Sequence, residues 1–160
     1  METHQAQIVS EVVCDVLEKV AFMFAEPVEA DTVSPSAAAG GCVCGRMTFS
    51  GPSGQGALQI VVPAALCPEL AANVLGVEAD DPTAMEQGLD TLNEMLNIIC
   101  GQLLTRVAGE QAVFDLSVPS AEAISAPQWE KAVQNPGALA FNVDERPLVV
   151  AFRYDARGAL

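Results

Sequence analysis

Four residues in the second half of the sequence combine chemically capable side chains with a regular spacing. They are Asp90, Glu94, Asn97 and Gly101. Separations of four, three and four positions would place them on one stripe of a helix. A carboxylate can pair with a cation, and an asparagine amide can both donate to and accept from a water without carrying charge. A solvated helix face also carries such residues, so the stripe alone leaves its function open.

Elsewhere the sequence offers few catalytic or metal-ligating side chains. His4 is the only histidine, so a catalytic triad or a multi-histidine metal site has almost no candidates. The five cysteines are odd in number, and Cys42 and Cys44 lie closer together than the cysteines of a zinc knuckle. We interpret them as buried free thiols in a reducing cytoplasm. A metal-binding or small-ligand-binding domain that uses the cysteines is the weaker alternative.

The composition excludes several classes of function. Seven Lys and Arg residues against 21 Asp and Glu residues give a net charge of −14. This balance argues against binding to nucleic acid or to an anionic membrane surface. A chain of 160 residues that is 51% apolar predicts one folded domain, 1–160. The sequence shows neither a secretory signal nor a membrane-spanning run, so we expect a cytoplasmic protein.

The stripe must be positioned by the longest predicted helix, 82–107. Because Glu94 lies opposite Leu92 and Leu96 on that helix, the stripe should face solvent. A glycine inside a helix, such as Gly101, lowers helix stability by about 1 kcal/mol relative to alanine. A glycine at such a position often indicates the close approach of a partner. The side that should face the core is formed by apolar residues spaced four and three positions apart: Met85, Leu89, Leu92, Leu96, Ile99 and Leu103.

The remaining elements predict an α+β fold. Each half is a helix followed by antiparallel strands, so the order predicts two similar halves, 5–76 and 82–154. Long helices should pack on a largely antiparallel sheet, and the last strand should lie at an edge where it provides a dimer contact. In the first half the other predicted elements are a helix at 5–24 ended by Pro27, a loop at 28–41, a hairpin of strands at 42–50 and 57–62, and a helix at 64–75 ended by Gly76. In the second half they are a strand at 112–118, an irregular region at 120–136 that could include a turn of helix around Trp129, and strands at 138–143 and 148–154.

The stripe resembles a known pattern. Asp90-x-x-x-Glu94-x-x-Asn97 is similar to the D/S-x3-E-x2-N signature of the CheC/CheX/FliY chemotaxis phosphatases, and Gly101 follows the asparagine by four residues as in their helix. The segment 114–119 resembles the strand and proline that follow that helix. The similarity in element order covers nearly the whole chain and implies a CheC-like α+β fold.

Only the second half carries the complete signature. CheC-type proteins have one signature in each half, and the corresponding positions of the first helix are Cys14, Glu18 and Ala21. These positions keep the glutamate but lack the aspartate and the asparagine. A single competent site is similar to CheX, and the resemblance to CheX implies a homodimer.

The resemblance implies a phosphatase that acts on the aspartyl-phosphate of a CheY-like receiver domain of a response regulator. The receiver would bring the acyl phosphate, Mg²⁺ and a lysine, so this chain would need no cofactor or metal of its own. Asn97 would position the attacking water, and Glu94 would pair with the receiver lysine. Asp90 and Gly101 would help the receiver to dock. The alternative is a non-catalytic interaction module of chemotaxis or flagellar-switch signalling, although the spacing of Glu94 and Asn97 favours the enzyme.

Overall fold

The computed structural model describes residues 3–158. Within this range the chain forms helices packed on one antiparallel sheet, which confirms the predicted α+β class. The helices are α1 (Thr3–Ala21), α2 (Leu66–Leu75), α3 (Pro82–Ala108) and α4 (Ala126–Gln134). The strands are β1 (Ala25–Val28), β2 (Cys42–Gly51), β3 (Gly54–Pro63), β4 (Asp115–Leu116), β5 (Ser120–Ile124), β6 (Ala138–Val143) and β7 (Arg146–Ala156).

The sheet has the order β1-β6-β7-β3-β2, and both β4 and β5 pair with the outer side of β2. The predicted hairpin of β2 and β3 is confirmed, with Gly51 opposite Gly54 at the turn. The prediction that the last strand lies at an edge is wrong, because β7 pairs with β6 on one side and β3 on the other. Its apolar run is therefore covered by neighbouring strands within the chain and is not available for a dimer contact.

Side chains on the two faces of the sheet belong to two clusters. In β6, Phe141 packs into the large cluster that also contains residues of α1 and α3, whereas Ala140 packs in a smaller cluster with Trp129 of α4. Because consecutive residues of a strand point to opposite faces, α4 covers the face that α1 and α3 leave free. Trp129 is 1% exposed, so it is a packing residue.

Helix α1 ends earlier than predicted. Phe22 has a φ of 54°, and the backbone N–H of Met23 donates to the carbonyl of Leu17 at 3.0 Å. This bond spans seven residues and closes the end of the helix, which stops at the left-handed Phe22. Phe24, the last residue of the predicted helix, lies outside α1 and is exposed. Pro27 lies in β1, opposite Phe141, and does not end the helix.

Two segments that were predicted to be irregular contain regular structure. Within 28–41, Val28 belongs to β1 and two short 3-10 turns follow. The region 120–136 contains β5 and all of α4, which extends the predicted turn around Trp129 to nine residues. Ser125 begins α4 with a capping box, because its hydroxyl accepts from the backbone of Gln128 and the Gln128 side chain accepts from the backbone of Ser125. The predicted strand at 112–118 shrinks to the two residues of β4.

Helix α3 has the predicted bounds to within one residue, but its first turns face differently from the prediction. Asp81 accepts a hydrogen bond from the backbone N–H of Thr83 at 2.8 Å and caps the helix. Met85 and Leu89 were predicted to be core residues, yet they are 63% and 44% exposed. Helix α2 instead packs against the side of α3 that carries small buried residues, among them Ala84 and Gly88. The predictions of one domain and of two similar halves stay predictions.

Candidate active site on the longest helix

Leucines on the side opposite the polar stripe hold α3 on the sheet. Leu92 and Leu96 are 1% and 0% exposed. A Cβ atom at Gly45 of β2 would lie 2.5 Å from Leu96 Cδ1 and 3.4 Å from Leu92 Cδ2. Gly45 therefore allows the helix to lie closer to the strand than a residue with a side chain would. Each fully buried leucine contributes about 1.5–3 kcal/mol, so the core determines the position of α3.

The polar stripe, defined as Asp90, Glu94, Asn97 and Gly101, lies on the outer side of this helix. The side chains of Asp90, Glu94 and Asn97 are exposed, and Gly101 is half-buried. Within residues 3–158, no hydrogen bond or ion pair engages the side chains of Asp90, Glu94 or Asn97. The stripe thus presents two carboxylates and an amide to solvent, on a backbone that the core holds in place.

Gly101 is not required by packing inside the chain. A Cβ atom at this position would meet no atom within 4 Å among the described residues outside the local helix backbone. Beside it runs a groove of about 500 Å³ between α1 and α3, whose walls include Val12, Gln102 and Thr105. The missing side chain therefore widens this surface groove at Gly101, one helical turn beyond Asn97.

The ion pairs along this groove lie within the chain. Arg106 Nη2 is 2.7 Å from Glu11 Oε2, and Lys19 Nζ is 2.7 Å from Asp15 Oδ1. The hydrogen bond from Arg106 holds the pKa of the Glu11 carboxyl below its usual value, and Asp15 raises the pKa of Lys19. These charges compensate one another locally, whereas the carboxylates of the stripe have no such partner among the described residues.

Asn93 is a residue of this surface that sequence reasoning missed. Its Oδ1 atom is buried and has no hydrogen-bond partner within residues 3–158. Asn93 lies four residues before Asn97, so the two side chains are neighbours one helical turn apart. A buried acceptor without a donor costs about 1–3 kcal/mol. The sequence signal that could have identified Asn93 is its position four residues before Asn97, which places the two asparagines on the same side of the helix.

The first helix does not present a second copy of the stripe. Cys14 is half-buried and donates to the carbonyl of Ala25 at 3.3 Å, and burial raises the pKa of its thiol. Ala21, which corresponds to Asn97, is 0% exposed. Glu18 alone is exposed. The structure therefore agrees with the sequence comparison, since this helix offers a carboxylate without an accompanying amide.

The cysteines are thiols in apolar surroundings. Burial raises the pKa of Cys67 and of Cys100 to about 11, so neither is a thiolate near neutral pH. Among residues 3–158, no group of three or more His, Cys, Asp and Glu side chains is arranged to hold a metal ion. In the same range, no helix is long and apolar enough to cross a membrane.

The chain thus has helices on one face and the other of an antiparallel sheet, and its longest helix carries a polar outer face. The chain belongs to the CheX family, because the family model described as chemotaxis phosphatase CheX matches residues 43–139. The match covers more than half of the chain and includes all of α3. The predicted resemblance is thereby confirmed. No curated protein sequence matches the chain.

Solved structures of this fold come from several bacteria. CheX from Desulfovibrio desulfuricans is 17% identical, with 95% of this chain and 99% of that chain covered and a TM-score of 0.67. CheX in the CheX–CheY–BeF3–Mg²⁺ complex of Borrelia burgdorferi is 20% identical, with 94% and 97% covered and a TM-score of 0.64. Thermotoga maritima FliY is 12% identical, with 94% and 91% covered and a TM-score of 0.53. At these identities the comparisons show a shared fold.

Proposed function

We propose that this chain hydrolyses the aspartyl-phosphate of a CheY-like receiver domain. One observation carries the proposal: Glu94 and Asn97 stand exposed and without partners among the described residues, one turn apart on a helix that the core holds rigidly. Membership of a family of chemotaxis phosphatases supports the reaction class. The structural neighbour in complex with CheY and Mg²⁺ supports the kind of partner.

In this mechanism the receiver supplies the acyl phosphate, its Mg²⁺ and a lysine, and the chain supplies no cofactor. The Asn97 amide accepts from and donates to a water and holds it in line with the phosphorus atom. The water oxygen bonds to phosphorus, the bond to the aspartate oxygen breaks, and inorganic phosphate leaves. Positioning of this kind can supply most of the rate gain. A carboxylate in place of the amide would repel the anionic phosphoryl group.

The other stripe residues dock the receiver in this proposal. Glu94 pairs with the receiver lysine, one turn before Asn97, so that the amide reaches the phosphoryl group. Asp90 lies one turn further back and helps to orient the partner. Gly101, one turn beyond Asn97, leaves the groove at its own position open to the partner. The cytoplasmic location and the homodimer stay predictions. The sheet edges available for pairing in a dimer are β1 on one side and β4 and β5 on the other.

A phosphate-release assay against phosphorylated receiver domains from the same organism tests the proposal. For at least one receiver, phosphate release in the presence of the wild-type chain should be faster than the loss of phosphate from that receiver alone. If the chain binds a receiver but does not accelerate the release of its phosphate, the result would instead support the non-catalytic interaction module.

Glu94→Ala should raise the receiver concentration that gives half-maximal rate by at least about tenfold, with a smaller effect on the maximal rate. The physical reason is that removal of Glu94 leaves the docked receiver lysine without its partner. Glu18→Ala is the matched control, because Glu18 is an exposed glutamate at the corresponding position of α1, and it should leave both quantities unchanged. An unchanged concentration dependence in Glu94→Ala would contradict the docking role.

A further inference from the structure

We propose that Asn93 is a second amide of the candidate active site, whose Nδ2 group donates a hydrogen bond to an oxygen of the receiver's phosphoryl group. This inference rests on the proposed function and adds a residue to its site. Within residues 3–158, Asn93 Oδ1 is the one buried side-chain polar atom without a hydrogen-bond partner. Folded proteins pair nearly all such atoms, so an exception requires a physical reason.

The amide of Asn93 is held with its oxygen inward and its nitrogen outward. The residue is half-buried, and its Oδ1 atom is enclosed by the protein. Its Nδ2 atom donates to no group within residues 3–158, yet it is not one of the buried atoms without a partner, so it reaches the surface. The chain therefore presents a free N–H donor one helical turn before Asn97.

Packing does not account for an amide at this position. Residues three, four and seven positions away share one side of a helix, and for Asn93 these are Leu96, Leu89 and Cys100. A leucine would suit this apolar side better than an asparagine of similar size, since it has no acceptor to leave unpaired. Leucine is also the better former of a helix interior. A residue that costs stability without improving the packing is typical of a functional site.

The polar side of α3 consists of two parallel rows. Asp90 and Glu94 form a row of carboxylates, and Asn93 and Asn97 form a row of amides. The members of each row are four residues apart, and the rows are offset by about 60°, because three residues turn the helix by about 300°. The carboxylate row suits the cationic lysine of a docked receiver. The uncharged amide row suits the anionic phosphoryl group, which a carboxylate would repel.

The spacing of the amides allows both to contact one phosphoryl group. The Cβ atoms of residues four apart on a helix lie about 5–6 Å apart. An attacking water lies about 3–3.5 Å from the phosphorus atom in a reactive complex, so it is a close neighbour of the phosphoryl oxygens. Asn97 can thus hold the water while Asn93 donates to one of these oxygens. This hydrogen bond stabilises the charge that spreads over the oxygens in the transition state.

The variant Asn93→Leu tests this role in the full chain. It keeps the size of the side chain and removes the donor together with the unpaired acceptor, so thermal stability should be unchanged or higher. The maximal rate of phosphate release should fall about tenfold or more. Asn93→Ala should have the same effects. Gln134→Ala is the control, because it removes an exposed amide from α4 on the opposite face of the sheet, and it should leave the rate unchanged.

A binding measurement separates a contact with the phosphoryl group from a contact with the rest of the receiver. The Kd is measured for the unmodified receiver and for the receiver loaded with Mg²⁺ and beryllofluoride, a phosphoryl analogue that is not hydrolysed. In Asn93→Leu the ratio of these two Kd values should fall about fivefold, the effect of one ordinary hydrogen bond. A structural role for Asn93 would leave that ratio unchanged.

Each outcome of these experiments decides between the proposals. An unchanged Kd ratio in Asn93→Leu would overturn the contact with the phosphoryl group, whatever the rate, and would leave the phosphatase proposal intact. A loss of stability in both Asn93 variants would show that the amide serves the fold, which also overturns the contact. If the wild type binds a receiver without hydrolysing its phosphate, the proposed function fails, and the Kd ratio still tests Asn93. If the wild type binds no receiver, both proposals fail.

Discussion

Asn97→Ala is expected to reduce receiver dephosphorylation by at least about 100-fold, which in practice abolishes the activity. The variant loses the group that positions the attacking water, and misplacement of a reacting atom by about 1 Å can already cost this factor. The fold should be unaffected, because Asn97 is exposed and makes no side-chain hydrogen bond within residues 3–158. Alanine is also the better helix former, so thermal stability should not fall.

The measurement compares phosphate release at saturating receiver with the thermal unfolding of the same preparation. Asn97→Asp is the informative companion, because it keeps the size of the side chain but places a negative charge beside the phosphoryl group. It should be as inactive as Asn97→Ala. Equal rates for wild type and Asn97→Ala would refute the mechanism, and full activity of Asn97→Asp would show that an uncharged amide is not required.

Leu96→Ala should lower the free energy of unfolding by about 2–5 kcal/mol, which is the cost of removing a large side chain from a packed core. Leu96 is 0% exposed and lies directly over Gly45 of the sheet. The resulting cavity would weaken the contact that holds α3, and with it the polar stripe, in place. Urea unfolding followed by circular dichroism measures the loss.

Leu89→Ala is the matched control for this prediction, because it makes the same chemical change on the same helix at a residue that is 44% exposed. Substitutions at such positions usually change stability by less than about 0.5 kcal/mol. A loss below about 1 kcal/mol in Leu96→Ala would mean that the contact between α3 and β2 does not determine the position of the helix.

Local signals were sufficient to predict α3 and the β2–β3 hairpin. Asp81 and Pro82 mark the start of α3, and an uninterrupted apolar period carries the pattern to its end. Gly51 to Gly54 form a turn between two apolar runs. Each of these signals depends only on residues that are close together in the sequence, so it can be recognised without knowledge of long-range contacts.

Other elements depended on contacts between residues far apart in the sequence. The apolar run of β7 looks the same whether the strand is central or at an edge, and only its pairing with β3 and β6 made it central. Helix α4 is short, and its one buried residue, Trp129, packs it against the second face of the sheet. Its capping box at Ser125 was a local signal that the prediction overlooked.

The sequence by itself determined the types and spacing of Asp90, Glu94 and Asn97 and the helix that carries them, because helical periodicity is a property of neighbouring residues. The tertiary structure decided which part of that helix is covered. The core lies under Leu92 and Leu96 and leaves Met85 and Leu89 exposed, because α2 packs on a different side of α3.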